Sequence, residues 1–223
     1  AREHHRATPQ PAATPTPAAA PSRHAQPKGN RGKTAPLLPL DRAALNTHLL
    51  AGDRLPALYV GFTWQVVGEG PEDTARVGAC QKTSLESIGA VSAVRRSFAA
   101  TDAATDAGGV TATQVVAGFA DAKSAWRAHE VLSAWRADCE ERLDYPRKDV
   151  GPMETVEVTT GVAGHYVAAY GSRSPSTGRV TGFGIVREGS YLSIVEISTP
   201  PRDSPARWNP ARAAVRRISR TFA

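Results

Sequence analysis

His165 precedes Tyr166 in the run "GHYVAAYG", and histidine is the side chain best suited to move a proton near neutral pH. With several serines elsewhere in the chain, His165 has the makings of a general base, although a lone histidine in a strand pattern is more often structural. Trp126 and His129 share one helical face with Ala122 and Ser133, and an aromatic ring beside a titratable polar group suits ligand or partner recognition. Arg95 and Arg96 are adjacent, so they project from opposite faces of a strand. One of the pair, with Arg96 the candidate, can line a cleft; the plainer alternative is an edge-strand charge. Arg212, Arg216 and Arg220 recur every four residues, as a polyanion-binding stripe or as a solvated face whose arginines complement the helix dipole.

Cys80 and Cys139 are the only cysteines, which permits one disulfide. Two reduced buried thiols are the alternative, common in cytosolic proteins. The even count and the helical, core-facing setting of each residue favour the bridge. No CxxC and no nearby Cys/His pair exists, so no metal site is expected, and His4-His5 is an adjacent pair in a low-complexity segment. The chain carries no GxSxG elbow, Walker A loop, GxGxxG or HExxH. "GFG" at residues 182–184 lies inside a strand pattern and reads as a bulge or close packing rather than a phosphate loop. No catalytic residue and no cofactor is therefore assigned, and the chain reads as a non-enzyme.

The formal charge of +6 is unevenly placed. Residues 1–36 carry six Lys or Arg against Glu3, and residues 200–223 carry six Arg against Asp203, whereas residues 37–199 are net negative. A nucleic-acid-binding domain puts its positive charge on the folded surface that meets the phosphates, and the middle of this chain does not. Residues 1–36 hold seven prolines, many alanines and almost no large apolar side chain, so they read as a disordered basic Pro/Ala-rich linker. Apolar runs such as 115–120 and 166–170 are too short to span a bilayer, so any membrane contact is expected only through an anchor outside this sequence.

Residues 37–223 read as a single domain whose elements must position these candidates. "PLDRAALNTHLLAG" predicts a short helix capped by Asp41, with Leu45, Leu49 and Leu50 turned inward and Gly52 as the stop. Val60, Phe62, Trp64 and Val66 alternate with Gly61, Thr63 and Gln65, predicting a strand with one buried face that "GEGPED" closes as a turn. A short helix from about Cys80 and strands at "AVRRSFAA" and "VTATQVVAGF" follow. Asp121 caps a helix running to about Leu143, with Ala125, Ala128, Leu132, Trp135, Cys139 and Leu143 on one face. Trp126 lies nine positions from Trp135, about half a turn away at roughly 100° per residue, so the two rings point oppositely. The remaining strands are "METVEVTT", "GHYVAAYG", "RVTGFGIVR" and "YLSIVEIS", the last two joined at Glu188-Gly189 as a hairpin. Asn209 and Pro210 start a final helix with Ala211, Ala214, Val215, Ile218 and Phe222 on one face. This pattern predicts an α+β fold, a mainly antiparallel twisted sheet of about six strands with helices packed against it.

With "AGDRLPALYV", "VVAGFADAKSAWRAHEVLSAWRADC" and "IVREGSYLSIVEIS" in this order, residues 37–223 resemble the PknH-like extracellular sensor domain family of actinobacteria. Members occur outside receptor serine/threonine kinases and as free-standing lipoproteins or secreted proteins. The resemblance implies an antiparallel sheet with packed helices, a structural disulfide, a cleft of uncertain ligand and no established catalysis. Many members carry a second disulfide, for which this chain lacks cysteines; it also lacks a lipobox cysteine at its start and a kinase domain. The expectation is an extracytoplasmic, non-catalytic sensor that binds a small molecule or a cell-envelope component. A secreted hydrolase and an envelope polyanion-binding module stand as alternatives.

Overall fold

In the computed structural model, residues 42–71, 76–100, 109–171, 178–200 and 209–223 are described. Asp41, the 1–36 linker and the 101–108 connection lie outside them. Helix α1 (Arg42–Asn46) is followed by strands β1 (Trp64–Pro71), β2 (Ala90–Ala100) and β3 (Thr111–Phe119), then helices α2 (Ala122–Ala137) and α3 (Cys139–Arg142). Strands β4 (Arg147–Val150), β5 (Glu154–Val156), β6 (Val162–Gly171), β7 (Arg179–Glu188) and β8 (Tyr191–Thr199) precede the last helix, α4 (Pro210–Ser219). The fold is α+β. All pairings are antiparallel, in the order β1-β2-β3-β8-β7-β6-β4, with β5 also on β6.

The sheet has eight strands where the sequence suggests about six. Seven of the eight lie on the stretches that read as strands in the sequence; the one that does not is β4, in a stretch too charged to show alternation: Arg147, Lys148 and Asp149 pair with Gly171, Tyr170 and Ala169 at an edge where charged side chains stay wet. β1 starts later than the alternation implies. Gly61 adopts φ +84° in a turn closed by Phe62 N–H donating to Tyr59 O, so Val60 is fully exposed, at 101%, while Phe62 and Trp64 are buried. "GEGP" is not a turn but the end of this strand, with Gly68 opposite Ser97 and Glu69 opposite Arg96 after a bulge. The helix expected from Cys80 shrinks to one 3-10 turn at Glu86–Ile88. Gln81 competes with helix there, accepting from Val77 N–H and donating to Thr83 O. The long helix breaks at Asp138, whose carboxylate is drawn to Lys82 (2.5 Å) and Arg142 (2.9 Å).

Alternation along the central strands sorts the core into two layers. On one face Val116, Val186, Val195 and Ile197 meet α1 and the apolar stripe of α4, namely Ala214, Val215 and Ile218. Glycine makes this contact close: a Cβ on Gly184 would sit 2.3 Å from Val215 Cγ1, which explains "GFG" as packing. On the other face Val115, Ala117, Ile185 and Ile194 meet Ala125, Ala128 and Leu132 of α2, whose first turn is capped by Asp121 accepting from Ser124 N–H at 2.7 Å. The Cys80–Cys139 disulfide sits beyond them, among Leu143, Tyr166, Ala168 and Phe183. The hairpin between β7 and β8 turns at Gly189 with φ +51°.

Candidate functional site

The residues singled out by sequence do not converge. Arg96 Nη1 donates to the carbonyls of Leu49 and Leu50, at 3.2 and 2.8 Å, and Nη2 pairs with Glu69 at 2.9 Å. Its guanidinium thus fastens the segment after α1 to the sheet, beside buried Gln114, which accepts from Leu50 N–H and donates to His48 O and Ser193 Oγ. His165 is 2% exposed on the α4 side, four strands away, roughly 19 Å at about 4.8 Å per strand. Its Nδ1 lies 2.7 Å from Asn209 Nδ2 and its Nε2 3.6 Å from Glu154 Oε2. Asn209 accordingly makes no side-chain cap on α4; its amide is spent on His165. Burial lowers the His165 pKa, Glu154 opposes this, and Arg212 and Arg216 add to it. No described Ser, Cys or Thr side chain makes a hydrogen bond to His165, so no nucleophile-base pair is assembled there.

Trp126 is 49% exposed on the outer side of α2, with His129 half-buried and 3.2 Å from Glu130. The connection after α3, "LDYPRKDVGPM", runs into β4 at the far edge of the sheet, and residues 101–108, the other long connection that could fold over this ring, lie outside the described residues. Arg212, Arg216 and Arg220 are exposed as a stripe, and two grooves flank its lower end. One, of about 560 Å³, is lined by Asp53, Arg54, Arg217 and Arg220 among others; a second, of about 390 Å³, by Glu157, Arg216 and Arg220. Arg217, off the stripe, is held in place by donating to Arg54 O at 2.8 Å.

A polar region that sequence reasoning missed lies on the α2 face. α2 and α3 run from the Phe119 end of β3 across to Leu143 and Ala168, so among the described residues no helix lies over the Thr111 end of β3 and its neighbours β2 and β8 on this face. By alternation this end carries Arg95 and Ser97 of β2, Thr111 and Thr113 of β3, Glu196 and Ser198 of β8, Arg179 and Thr181 of β7, and Tyr170 of β6. Arg179 Nε donates to Ser198 Oγ at 2.9 Å and Nη2 to Thr111 Oγ1 at 3.4 Å, while Thr181 and Ser198 hydroxyls are 3.0 Å apart. The Tyr170 hydroxyl bonds Thr181, and its ring lies 5.1 Å from that of exposed Tyr145.

Glu196 stands at the centre, between Thr113 and Phe183 on the neighbouring strands. It is largely buried with some solvent contact, and among the described residues no donor hydrogen-bonds its carboxyl. Burial pushes its pKa up to about 7 against the opposing pull of Arg179 and Arg95. A carboxyl held this way near neutrality, with two guanidinium groups acting on it and no donor among the described residues, is the ionisable group in the region most open to an added hydrogen-bond donor. The sequence carried one signal for it: "SIVEIS" places a charge in the middle of an otherwise apolar central strand.

A cavity on this face, between α2 and the sheet beside Cys80 and Trp135, has about 20 Å³, room for roughly one water. Among the described residues no group of three or more His, Cys, Asp or Glu is placed to hold a metal, and no helix is long and apolar enough to cross a membrane.

The architecture defines a class, a single antiparallel sheet flanked by helices and pinned by one disulfide. The crystal structure of the extracellular domain of PknH from Mycobacterium tuberculosis is similar to this chain in fold, with a TM-score of 0.58 at 11% identity, covering 83% of this chain and 98% of that one. At that identity the likeness is one of fold. No family model matches the sequence, and no curated protein is significantly similar.

Proposed function

We propose that this protein is an extracytoplasmic, non-catalytic sensor domain that binds a ligand at the Glu196 end of the α2 face. The observation that carries the reading is Glu196: a largely buried carboxyl without a hydrogen-bond donor among the described residues, ringed by Arg179, Arg95 and hydroxyl side chains. Such a group costs stability in the empty fold and is relieved by a ligand that donates to it. The fold shared with an extracellular domain and the Cys80–Cys139 bridge support a location outside the cytoplasm, where disulfides persist. The resemblance of the sequence to an actinobacterial sensor family agrees with that placement.

The test is a thermal-shift screen of small metabolites and cell-wall fragments on the wild type and on Glu196→Gln. Compounds that raise the wild-type melting temperature and lose that effect in the variant support the reading. Stabilising compounds that act equally on both would move the site elsewhere.

A second reading has its own observation: Arg220 is shared by two grooves that also hold Arg54, Arg216 and Arg217, a cationic surface suited to an envelope polyanion. Its retention on heparin should fall steeply with salt and drop in an Arg216→Gln/Arg220→Gln variant. Equal retention of variant and wild type removes it.

A further inference from the structure

The chemistry around Glu196 narrows the ligand class, an inference that rests on the reading above. We infer that the Glu196 end of the α2 face binds a neutral, hydroxyl-rich ligand, a saccharide, with Glu196 and Arg179 gripping its hydroxyls and the Tyr145–Tyr170 ring pair taking its C–H face. Three features point there.

First, the charges alternate. Glu196 is an acceptor, and Arg179 and Arg95 stand near enough to act on its ionisation. A simple cation meets two guanidinium groups and a simple anion meets the carboxylate, so neither is favoured. A hydroxyl satisfies both kinds of partner, because it donates one hydrogen bond and accepts two.

Second, the surrounding floor consists of groups that accept and donate without bringing charge. Thr111 and Thr113 present hydroxyls along β3, while Thr181 and Ser198 on β7 and β8 are buried beneath Arg179 and bonded to each other. Arg179 is already oriented by Ser198 and Thr111 through Nε and Nη2, and neither bond uses Nη1. A planar guanidinium fixed in this way grips adjacent hydroxyl oxygens with little loss of side-chain entropy on binding.

Third, the rim is aromatic. The Tyr145 and Tyr170 rings are 5.1 Å apart and inclined by 36°, and Tyr145 is 43% exposed. An exposed ring next to a hydroxyl-lined floor offers an apolar face to the C–H side of a sugar while the polar side of the same molecule turns to Glu196.

A zwitterion, with its ammonium on Glu196 and its carboxylate on Arg179, is the ligand that competes with this assignment. The experiment therefore titrates the full chain by heteronuclear NMR and calorimetry at pH 7 with three sets of probes. These are neutral saccharides (glucose, N-acetylglucosamine, maltose, chitobiose), amino acids (lysine, glutamate, alanine), and anions (phosphate, glucuronate). Saccharide binding that shifts β7 and β8 amides, weakens at least tenfold in Glu196→Gln and in Arg179→Gln, and weakens several-fold in Tyr145→Ala is the expected result. Tyr145 is an exposed ring, so its variant reports on the site even where a sheet variant fails to fold.

Binding of amino acids or anions without saccharides overturns the ligand class and leaves the sensor reading standing. Saccharide binding that is indifferent to all three substitutions overturns the site. Silence of every probe in the three sets overturns the class, while the wider metabolite screen continues to test the sensor reading separately.

Discussion

The two faces of the sheet are closed in different ways. On the α4 face an amphipathic helix lies across β6, β7 and β8 on small residues, Gly182 and Gly184, and the charged and amide side chains His165, Arg96 and Gln114 are each held by specific partners. His165 has Asn209 and Glu154, Arg96 has three acceptors, and Gln114 has three partners. On the α2 face the helix offers mainly alanines and Leu132, covers one end, and needs a disulfide at its tail. The other end keeps hydroxyls, two arginines and a carboxyl without a donor among the described residues. Antiparallel sheets often leave part of one face to water. A largely buried Glu196 is what separates this end from an ordinary wet face, because solvent alone would have kept its pKa low.

The sharpest test of that contrast is the disulfide. It closes a loop of 59 residues and ties the 76–89 segment to the start of α3, reinforced by Arg142 donating to Cys80 O at 2.9 Å. In the chain-entropy account, Cys80→Ser/Cys139→Ser should cost about 4 kcal/mol, read as a fall in the urea midpoint with an unchanged slope. A loss below about 1 kcal/mol would show that packing alone holds α2, as it does α4, and the contrast between the faces would collapse.

The next effect belongs to the other face. Gly184→Ala places a methyl 2.3 Å from Val215 Cγ1 and 2.9 Å from Val195 Cγ1, so α4 must shift. Overpacking of this kind costs about 2 kcal/mol, and Val215→Ala in the same chain should restore part of it. Additive losses in the double variant would show that the strain lies in β7 itself.

What the sequence disclosed follows the same division. The α4 face was legible because its signals are local and repetitive: the stripe Ala211, Ala214, Val215, Ile218, Phe222, and Pro210 in the first turn. The helical face through Ala125, Leu132 and Cys139 was legible for the same reason, and it brought the disulfide partners to the core. Three things were not. β4 lacks alternation and exists only through its pairing with β6. Val60 sits in a strand-like pattern that Gly61 breaks by turning to positive φ. The recess around Glu196 draws its residues from five strands, and such a cluster has no spacing in sequence to betray it. The single local departure, a charge inside an apolar strand, fits a site as well as it fits an edge.

The faces should also answer pH with opposite signs. Glu196 has a folded-state pKa raised from 4.5 to about 7, so its contribution to stability is fully present below about pH 4.5 and is lost as pH rises through about 7. With partial solvent contact the loss should be on the order of 2 kcal/mol, and Glu196→Gln should abolish it. His165 has a lowered pKa, so its contribution is present above 6.5 and is lost as pH falls toward the folded value. Urea midpoints of the wild type, Glu196→Gln and His165→Gln between pH 4.5 and 8.5 separate the two slopes. A wild-type curve unchanged by Glu196→Gln would mean that the carboxyl is solvated, and the distinction between recess and wet face would go with it.

The smallest expected effect concerns Trp126, on the outer side of the helix that closes the less tightly packed face. At 49% exposure it has half of its ring in water, and on a helix the replacement alanine regains roughly 0.5 kcal/mol of propensity. Trp126→Ala should therefore cost about 1 kcal/mol, well short of the 3–5 typical of a buried aromatic. A loss in the larger range would reveal a cover over this ring and make the outside of α2 a third closed surface. At the smaller cost, binding measurements on the same variant locate the ligand. Trp126 projects from the far side of α2, so a ligand seated at Glu196 should bind the variant with unchanged affinity. Weakened binding by Trp126→Ala, in a protein whose stability has barely moved, would transfer the recognition surface from the sheet to the helix.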